Sequence, residues 1–225
     1  MSLIINNIKN FFLREERKVR FFFIVFYSIG IFGIVTPLTR NLFISLTPFV
    51  LLMSFFALLV FHQPRFEKKS VIIFTSIYLM SYLIEVSGVR SGIVFGDYRY
   101  GNGLGIKVLD MPLMIGINWV LLVYCTAVMV ERLPILNIIK VVLSSLMMVL
   151  YDIIMEQVAP QLDMWNFEGG IVPLRNYISW FIIAFLFHSL LKLTGVKIMN
   201  RLAAVIFYCQ ALFFMVLIIF FKLAE

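Results

Sequence analysis

The stretch Met111–Val158, MPLMIGINWVLLVYCTAVMVERLPILNIIKVVLSSLMMVLYDIIMEQV, decides the fold. It contains two apolar runs, 111–130 and 135–158, separated only by Glu131, Arg132, Leu133 and Pro134. A membrane-spanning helix needs about 20 mostly apolar residues. Two such runs joined by a short charged turn read as a helical hairpin crossing a bilayer twice.

The same pattern continues on both sides. Apolar runs at 21–39, 42–61 and 71–88 precede the hairpin, and runs at 174–192 and 201–221 follow it. The expected fold is all-α: a polytopic transmembrane bundle of about seven helices. Composition agrees, with 62% hydrophobic and 14% charged residues, against about 45–50% and about 25% in soluble domains. No linker, low-complexity tract or internal repeat divides the chain. The expected organisation is a cytoplasmic amphipathic segment, 1–20, followed by one transmembrane domain, 21–225. The first segment lacks the apolar stretch and small-residue cleavage site of a signal peptide and is expected to be retained.

With seven spans and a cytoplasmic N-terminus, thirteen of the nineteen lysines and arginines fall on the inner side, among them Arg14, Arg17, Lys18, Lys68, Lys140, Lys192 and Lys197. Six remain outside: Arg40, Arg90, Arg99, Lys107, Arg175 and Lys222. This asymmetry follows the positive-inside rule. It also gives the net charge of +7 a membrane explanation, with the bilayer and not nucleic acid as the partner. Cys125 and Cys209 lie inside apolar runs without paired spacing, so neither a disulfide framework nor a metal site is expected. His62 and His188 sit toward the inner side and read as structural.

Polar chemistry collects at the other side. Glu85 ends the third span, and the connection SGVRSGIVFGDYRYGNGLGIKVLD (87–110) is rich in Gly, Tyr and charge. Asn118 and Trp119 open the fourth span, Asp152 and Glu156 close the fifth, and Asn176, Tyr177 and Trp180 begin the sixth. Asp152 and Glu156 stand four residues apart, which stacks their carboxyls on one helix face. Acids at membrane depth face the bundle interior, pair, or stay protonated, and they mark functional sites more often than not. The plain alternative is an ion pair with Arg90, Arg99 or Arg175. For Tyr98, Tyr100, Trp165 and Trp180 it is an interfacial aromatic belt, and for the glycines at 88–105 it is turn punctuation, since no phosphate-loop pattern is present.

Taken in order, Glu85, FGDYRY (95–100) with the following Leu104-Gly105, MPLMIGINW (111–119), the Asp152/Glu156 pair, and Trp165 with the Gly-Gly loop leading into VPLRNYISW (172–180) resemble the carotenoid biosynthesis family of membrane hydratases. That family includes enzymes acting on bisanhydrobacterioruberin, gamma-carotene or lycopene. Met111 ahead of Pro112 and Arg175 ahead of Asn176 depart from the family pattern and point to a different substrate.

The resemblance implies a hydro-lyase that needs no cofactor and adds water across the terminal double bond of an acyclic carotenoid end, giving a tertiary alcohol. Asp152, Glu156 and Glu85 are the expected catalytic acids: Asp152 is taken as proton donor, with Glu156 or Glu85 holding the water and taking its proton, and the division of these parts among the three acids stays open. Asp97, Tyr98, Tyr100, Asn118, Trp119, Trp165, Asn176 and Trp180 would bind substrate. The partners implied are a long polyene, the lipid bilayer and other enzymes of the pathway, in a bacterial plasma membrane. Three rival readings stand beside it: a membrane lycopene cyclase, a small transporter using the acids as a cation path, and a non-catalytic subunit of a pigment pathway.

Overall fold

A computed structural model describes residues 13–63 and 67–224. The expected amphipathic segment therefore lies largely outside the described residues, as do Lys9 and Arg65 of the inner basic set. Among the described residues there are eight α-helices: α1 Glu16–Val35, α2 Arg40–Ser45, α3 Thr47–Phe61, α4 Lys68–Ser91, α5 Met114–Glu131, α6 Asn137–Glu156, α7 Leu174–Thr194 and α8 Ala203–Ala224. Among the described residues six of them, all but α2 and α3, are long and apolar enough to cross a membrane. The protein is an integral membrane protein with an all-α polytopic fold.

The first two expected spans shift. Helix α1 starts at Glu16, earlier than hydropathy suggests, because its charged first turn is neutralised locally. Glu16 pairs with Arg20 at 2.5 Å and with Arg201 at 3.3 Å, and Glu15 pairs with Lys18 at 2.7 Å. It ends at Val35 and not at 39, because Pro37 disfavours the helical conformation in the residue before it. The expected span 42–61 is split into α2 and α3, with Pro48 in the first turn of α3. Proline lacks the N–H that a continuous helix would use there, so the helix restarts.

Connectivity makes α3 a full crossing all the same. Its last residue adjoins β1 (His62–Gln63), which pairs antiparallel with β4 (Met199–Asn200) ahead of α8, and Asn200 Nδ2 donates to Leu58 O at 2.8 Å. At its other end Pro48 lies against Gly105 of the α4–α5 connection, where a Cβ would approach Pro48 Cγ to 2.8 Å. The chain thus alternates between two ends. One carries Lys68, Lys69, Lys140, Lys192, Lys197 and Arg201. The other carries the two long connections, 92–113 and 157–173.

Helix α5 is the axis. It packs against α3, α4, α6, α7 and α8, and its residues from Trp119 to Ala127 are all buried. A helix apolar around its whole circumference belongs at the centre of a bundle. Facing outward are Phe21, Phe32, Ile72, Leu83, Leu150 and Leu186, all exposed, as expected of a surface solvated by lipid tails.

Candidate active site

The two long connections meet in a small antiparallel ribbon, β2 (Tyr98–Tyr100) against β3 (Trp165–Phe167), with Tyr98 opposite Phe167 and Tyr100 opposite Trp165. Side chains alternate along a strand, so these four aromatics share one face while Arg99 and Asn166 are exposed on the other. Their rings pack across the ribbon, 5.1 Å between Tyr98 and Phe167 and 5.8 Å between Tyr100 and Trp165. The ribbon is fastened to the turn after α6: Gly103 N donates to Asp163 O at 2.6 Å, Gly101 N to Met164 O at 2.9 Å, and Asn102 N to the Asp163 carboxylate at 2.9 Å.

Beneath the ribbon lie three buried acids from two helices. Glu85 of α4 accepts from Tyr98 Oη at 2.5 Å, Tyr100 Oη at 3.1 Å and Trp119 Nε1 at 3.0 Å. Three donors on one carboxyl suit a carboxylate acceptor. Burial, followed by the neighbouring Glu85, pushes both phenols well above the ordinary tyrosine range, so they remain donors. Glu156 of α6 accepts from Trp165 Nε1 at 2.9 Å, and Asn176 Nδ2 bridges it at 3.3 Å to Asp152 Oδ2 at 2.8 Å. Asp152 is fully buried, and among the described residues its Oδ1 meets no hydrogen-bond donor.

None of the three acids pairs with a cation among the described residues. Arg175 instead binds Asp97 at 3.6 Å. The ion-pair alternative raised by the sequence therefore falls to Asp97, half-exposed at the rim, and leaves the buried acids with neutral donors alone. Unpaired acids are costly at membrane depth, and here the cost is met only by amide, indole and phenol groups.

One cavity is walled by two of the acids, and a second shares Trp165 with it. A polar one of about 10 Å³ is lined by Glu85, Glu156, Asn176, Tyr100, Trp165 and Trp180 among others, a volume at the scale of a single water. An apolar one of about 180 Å³ lies between α1, α2, α3 and α8, lined by residues such as Phe26, Phe43, Leu51 and Phe213, and it reaches Asn118, Tyr151 and Trp165. Trp165 lines both. Its indole stands between the apolar cavity and the water-sized one, with the N–H fixed on Glu156.

Nine of the eleven candidate residues converge: Glu85, Tyr98, Tyr100, Trp119, Asp152, Glu156, Trp165, Asn176 and Trp180. Trp119 and Trp180 stack at 4.2 Å. Asn118 faces the apolar cavity instead, and no hydrogen bond holds its amide among the described residues. Asp97 stays outside. Sequence reasoning missed Tyr27, Tyr151 and Gln210, polar side chains in the lining of the apolar cavity, and Ser54, which bonds Tyr27 behind it. Tyr27 Oη and Ser54 Oγ lie 2.9 Å apart, and Tyr151 Oη donates to Gln210 at 3.4 Å. Gln210 alone in the apolar last span was the available signal.

A family model described as "Carotenoid biosynthesis protein" matches residues 46–224, which takes in every residue of the acid cluster and most of the bundle. The chain belongs to the carotenoid biosynthesis protein family. Its part in the cell is therefore in carotenoid biosynthesis. No curated protein and no solved structure matches the chain.

Proposed function

We propose that this family member is a carotenoid hydratase, adding water across the terminal double bond of an acyclic end of the gamma-carotene or lycopene type. The observation that carries the reading is Trp165 standing between an apolar cavity and a water-sized cavity walled by two carboxyl groups. The apolar cavity is smaller than the roughly 300–1,000 Å³ that drug-sized ligands occupy. It suits one end of a polyene whose remainder stays in the bilayer, reached laterally.

The chemistry follows from the lining. The polyene end passes from the apolar cavity along Trp165 to the small one, where Glu156, in its acid form, gives a proton to the less substituted alkene carbon, and the π electrons become the new C–H bond. The adjacent carbon becomes a tertiary cation. Aromatic faces such as Trp165, Trp119 and Trp180 stabilise positive charge by about 0.5–2 kcal/mol each. Water from the small cavity then donates an oxygen lone pair to the cation, and the Glu85 carboxylate takes the released proton. The next water in that cavity touches both acids and carries the proton back to Glu156, so the cycle closes with one water consumed and no redox change.

This assignment moves the donor one turn from the residue expected from the sequence. Asp152 lines neither cavity, whereas Glu156 lines the small one. Asp152 holds Glu156 through Asn176 and acts as a positioning residue. The Asn118 amide, unheld and facing the apolar cavity, orients the substrate end or a second water. The basic end is cytoplasmic on the positive-inside rule, which puts the acids in the outer half of a bacterial plasma membrane, with residues 21–225 acting as one membrane domain.

The test is expression in cells that accumulate lycopene or gamma-carotene, followed by mass analysis of the extracted pigment. A gain of one water per reacted end with the chromophore unchanged is expected. An equal-mass ring product would replace the reading with a cyclase, and unchanged pigment beside well-expressed protein would remove it.

A further inference from the structure

At the opposite end of the bundle lies a second polar cavity that the proposed chemistry does not use. Its volume is about 370 Å³, and it opens between the end of α5, the start of α6 and the end of α7, continuing along the α7–α8 connection. Three lysines line it, Lys140, Lys192 and Lys197, against a single carboxylate, Glu131. Glu131 is shared: Lys192 Nζ meets its Oε2, and Lys140 Nζ lies 3.9 Å from its Oε1 while donating to its backbone carbonyl at 2.5 Å. Lys197 has no ion-pair partner among the described residues.

The cavity therefore carries an excess of two positive charges in a place where Lys140 is largely withdrawn from water, its side chain 11% exposed. Ammonium groups held at a bilayer surface attract the anionic headgroups of the leaflet. His188 does not contribute, because Thr126 and the Ala184 carbonyl take its two ring nitrogens at 2.9 and 2.7 Å. The start of α6 at Asn137 adds the positive end of a helix dipole, while the negative ends of α5 and α7 are answered by Lys140 and Lys192.

Part of the wall is apolar: Ala127, Val130, Val141 and Leu191 line it beside Asn137, Ser144 and His188. A ligand that satisfies both halves bears an anionic group on an apolar body. We infer that this cavity binds the phosphate headgroup of an anionic membrane lipid, with the phosphate among Lys140, Lys192 and Lys197 and the acyl chains leaving along α5 and α6. Free phosphate would satisfy the lysines but leave the apolar wall unused, so the two sources separate by experiment.

The experiment uses the full chain purified in a mild detergent. Titrations follow its melting temperature and its lipid retention by native mass spectrometry, with phosphatidylglycerol, phosphatidylcholine or inorganic phosphate as the probe. Phosphatidylglycerol should bind and raise the melting temperature, while phosphatidylcholine and millimolar phosphate should not. The double variant Lys192→Gln/Lys197→Gln should weaken phosphatidylglycerol binding at least tenfold. The control Lys68→Gln/Lys69→Gln, with the same charge change at the same end but outside the cavity, should bind as the unaltered protein does. Equal binding of the two lipids, an unaffected double variant, or equal loss in the control would overturn the site. Phosphate binding as tightly as the lipid would overturn the lipid assignment. If the double variant melts low without lipid, the single Lys197→Gln, which breaks no ion pair, carries the same comparison with a smaller loss expected.

Discussion

The side-chain nitrogen of Asn176 lies 2.8 Å from Oδ2 of Asp152, and the same nitrogen reaches Glu156 at 3.3 Å. One NH₂ group has two hydrogens, and here each serves a different acid. Replacing it leaves two buried carboxyls without their shared donor, a loss of about 1–3 kcal/mol. Asn176→Ala should therefore melt earlier in detergent and make less product. Asp152→Asn keeps an acceptor oxygen for Asn176 and should keep both melting temperature and turnover, whereas Asp152→Leu, which removes the acceptor, should lower turnover at least tenfold; a tenfold loss in Asp152→Asn would make Asp152 a proton donor and not a positioning residue.

Glu156→Gln removes the proton while keeping both acceptor and shape. General acid catalysis contributes about 10²–10⁴-fold, so alcohol formation should fall by that factor at wild-type protein level. Near-normal conversion in pigment extracts would exclude Glu156 as the donor.

Trp165→Phe keeps a ring between the two cavities but deletes the N–H on Glu156. A hydrogen bond to an uncharged carboxyl is worth about 0.5–1.5 kcal/mol, which corresponds to roughly two- to tenfold in rate. Trp165→Ala should do more, by joining the cavities and letting water reach the alkene pocket. Pigment profiles of the two variants, normalised to protein level, separate loss of the hydrogen bond from loss of the wall.

The Tyr98 phenol is pushed up by burial first and by Glu85 second, so the folded protein binds this proton more tightly than the unfolded chain. Its contribution to stability is complete below the unfolded value near about pH 10 and is lost as pH rises from there through the folded value. The melting temperature of the unaltered protein should fall above about pH 10, and Tyr98→Phe should flatten that fall. Parallel curves would assign the alkaline loss to other groups.

Gly103 approaches the turn after α6 so closely that a Cβ would stand 2.3 Å from Leu162 O. Since that atom is backbone, the ribbon has to lift. Gly103→Ala should loosen the roof over the acids, seen as faster proteolysis within 92–113 and reduced turnover, with the spans intact by circular dichroism.

The spans were legible because about 20 apolar residues in a row have few other uses, and the site was legible as a region because acids are rare in such runs. What hydropathy cannot carry is direction around a helix. Asn118 and Trp119 are neighbours in sequence, yet one faces the apolar cavity and the other binds Glu85. Asp97 sits inside the FGDYRY segment beside Tyr98 but points to the rim, because alternation along the ribbon brings only every second side chain inward. The break before α3 was written in Pro48, which the apolar count passed over. Gln210 was visible only as an anomaly, since its partner Tyr151 lies on another helix.

The brevity of α3 bears on how a polyene would arrive. Fifteen residues rise about 22 Å, against a hydrocarbon core of about 30 Å. Hydrophobic mismatch of this kind is relieved by thinning the adjacent leaflet, and α2 lies across the shortfall at the end where the acids sit. Lipid beside α2 and α3 is then drawn down toward the level of Trp165, so a chain end floating in the outer leaflet meets the apolar cavity sideways, at its own depth, without having to climb out of the oil.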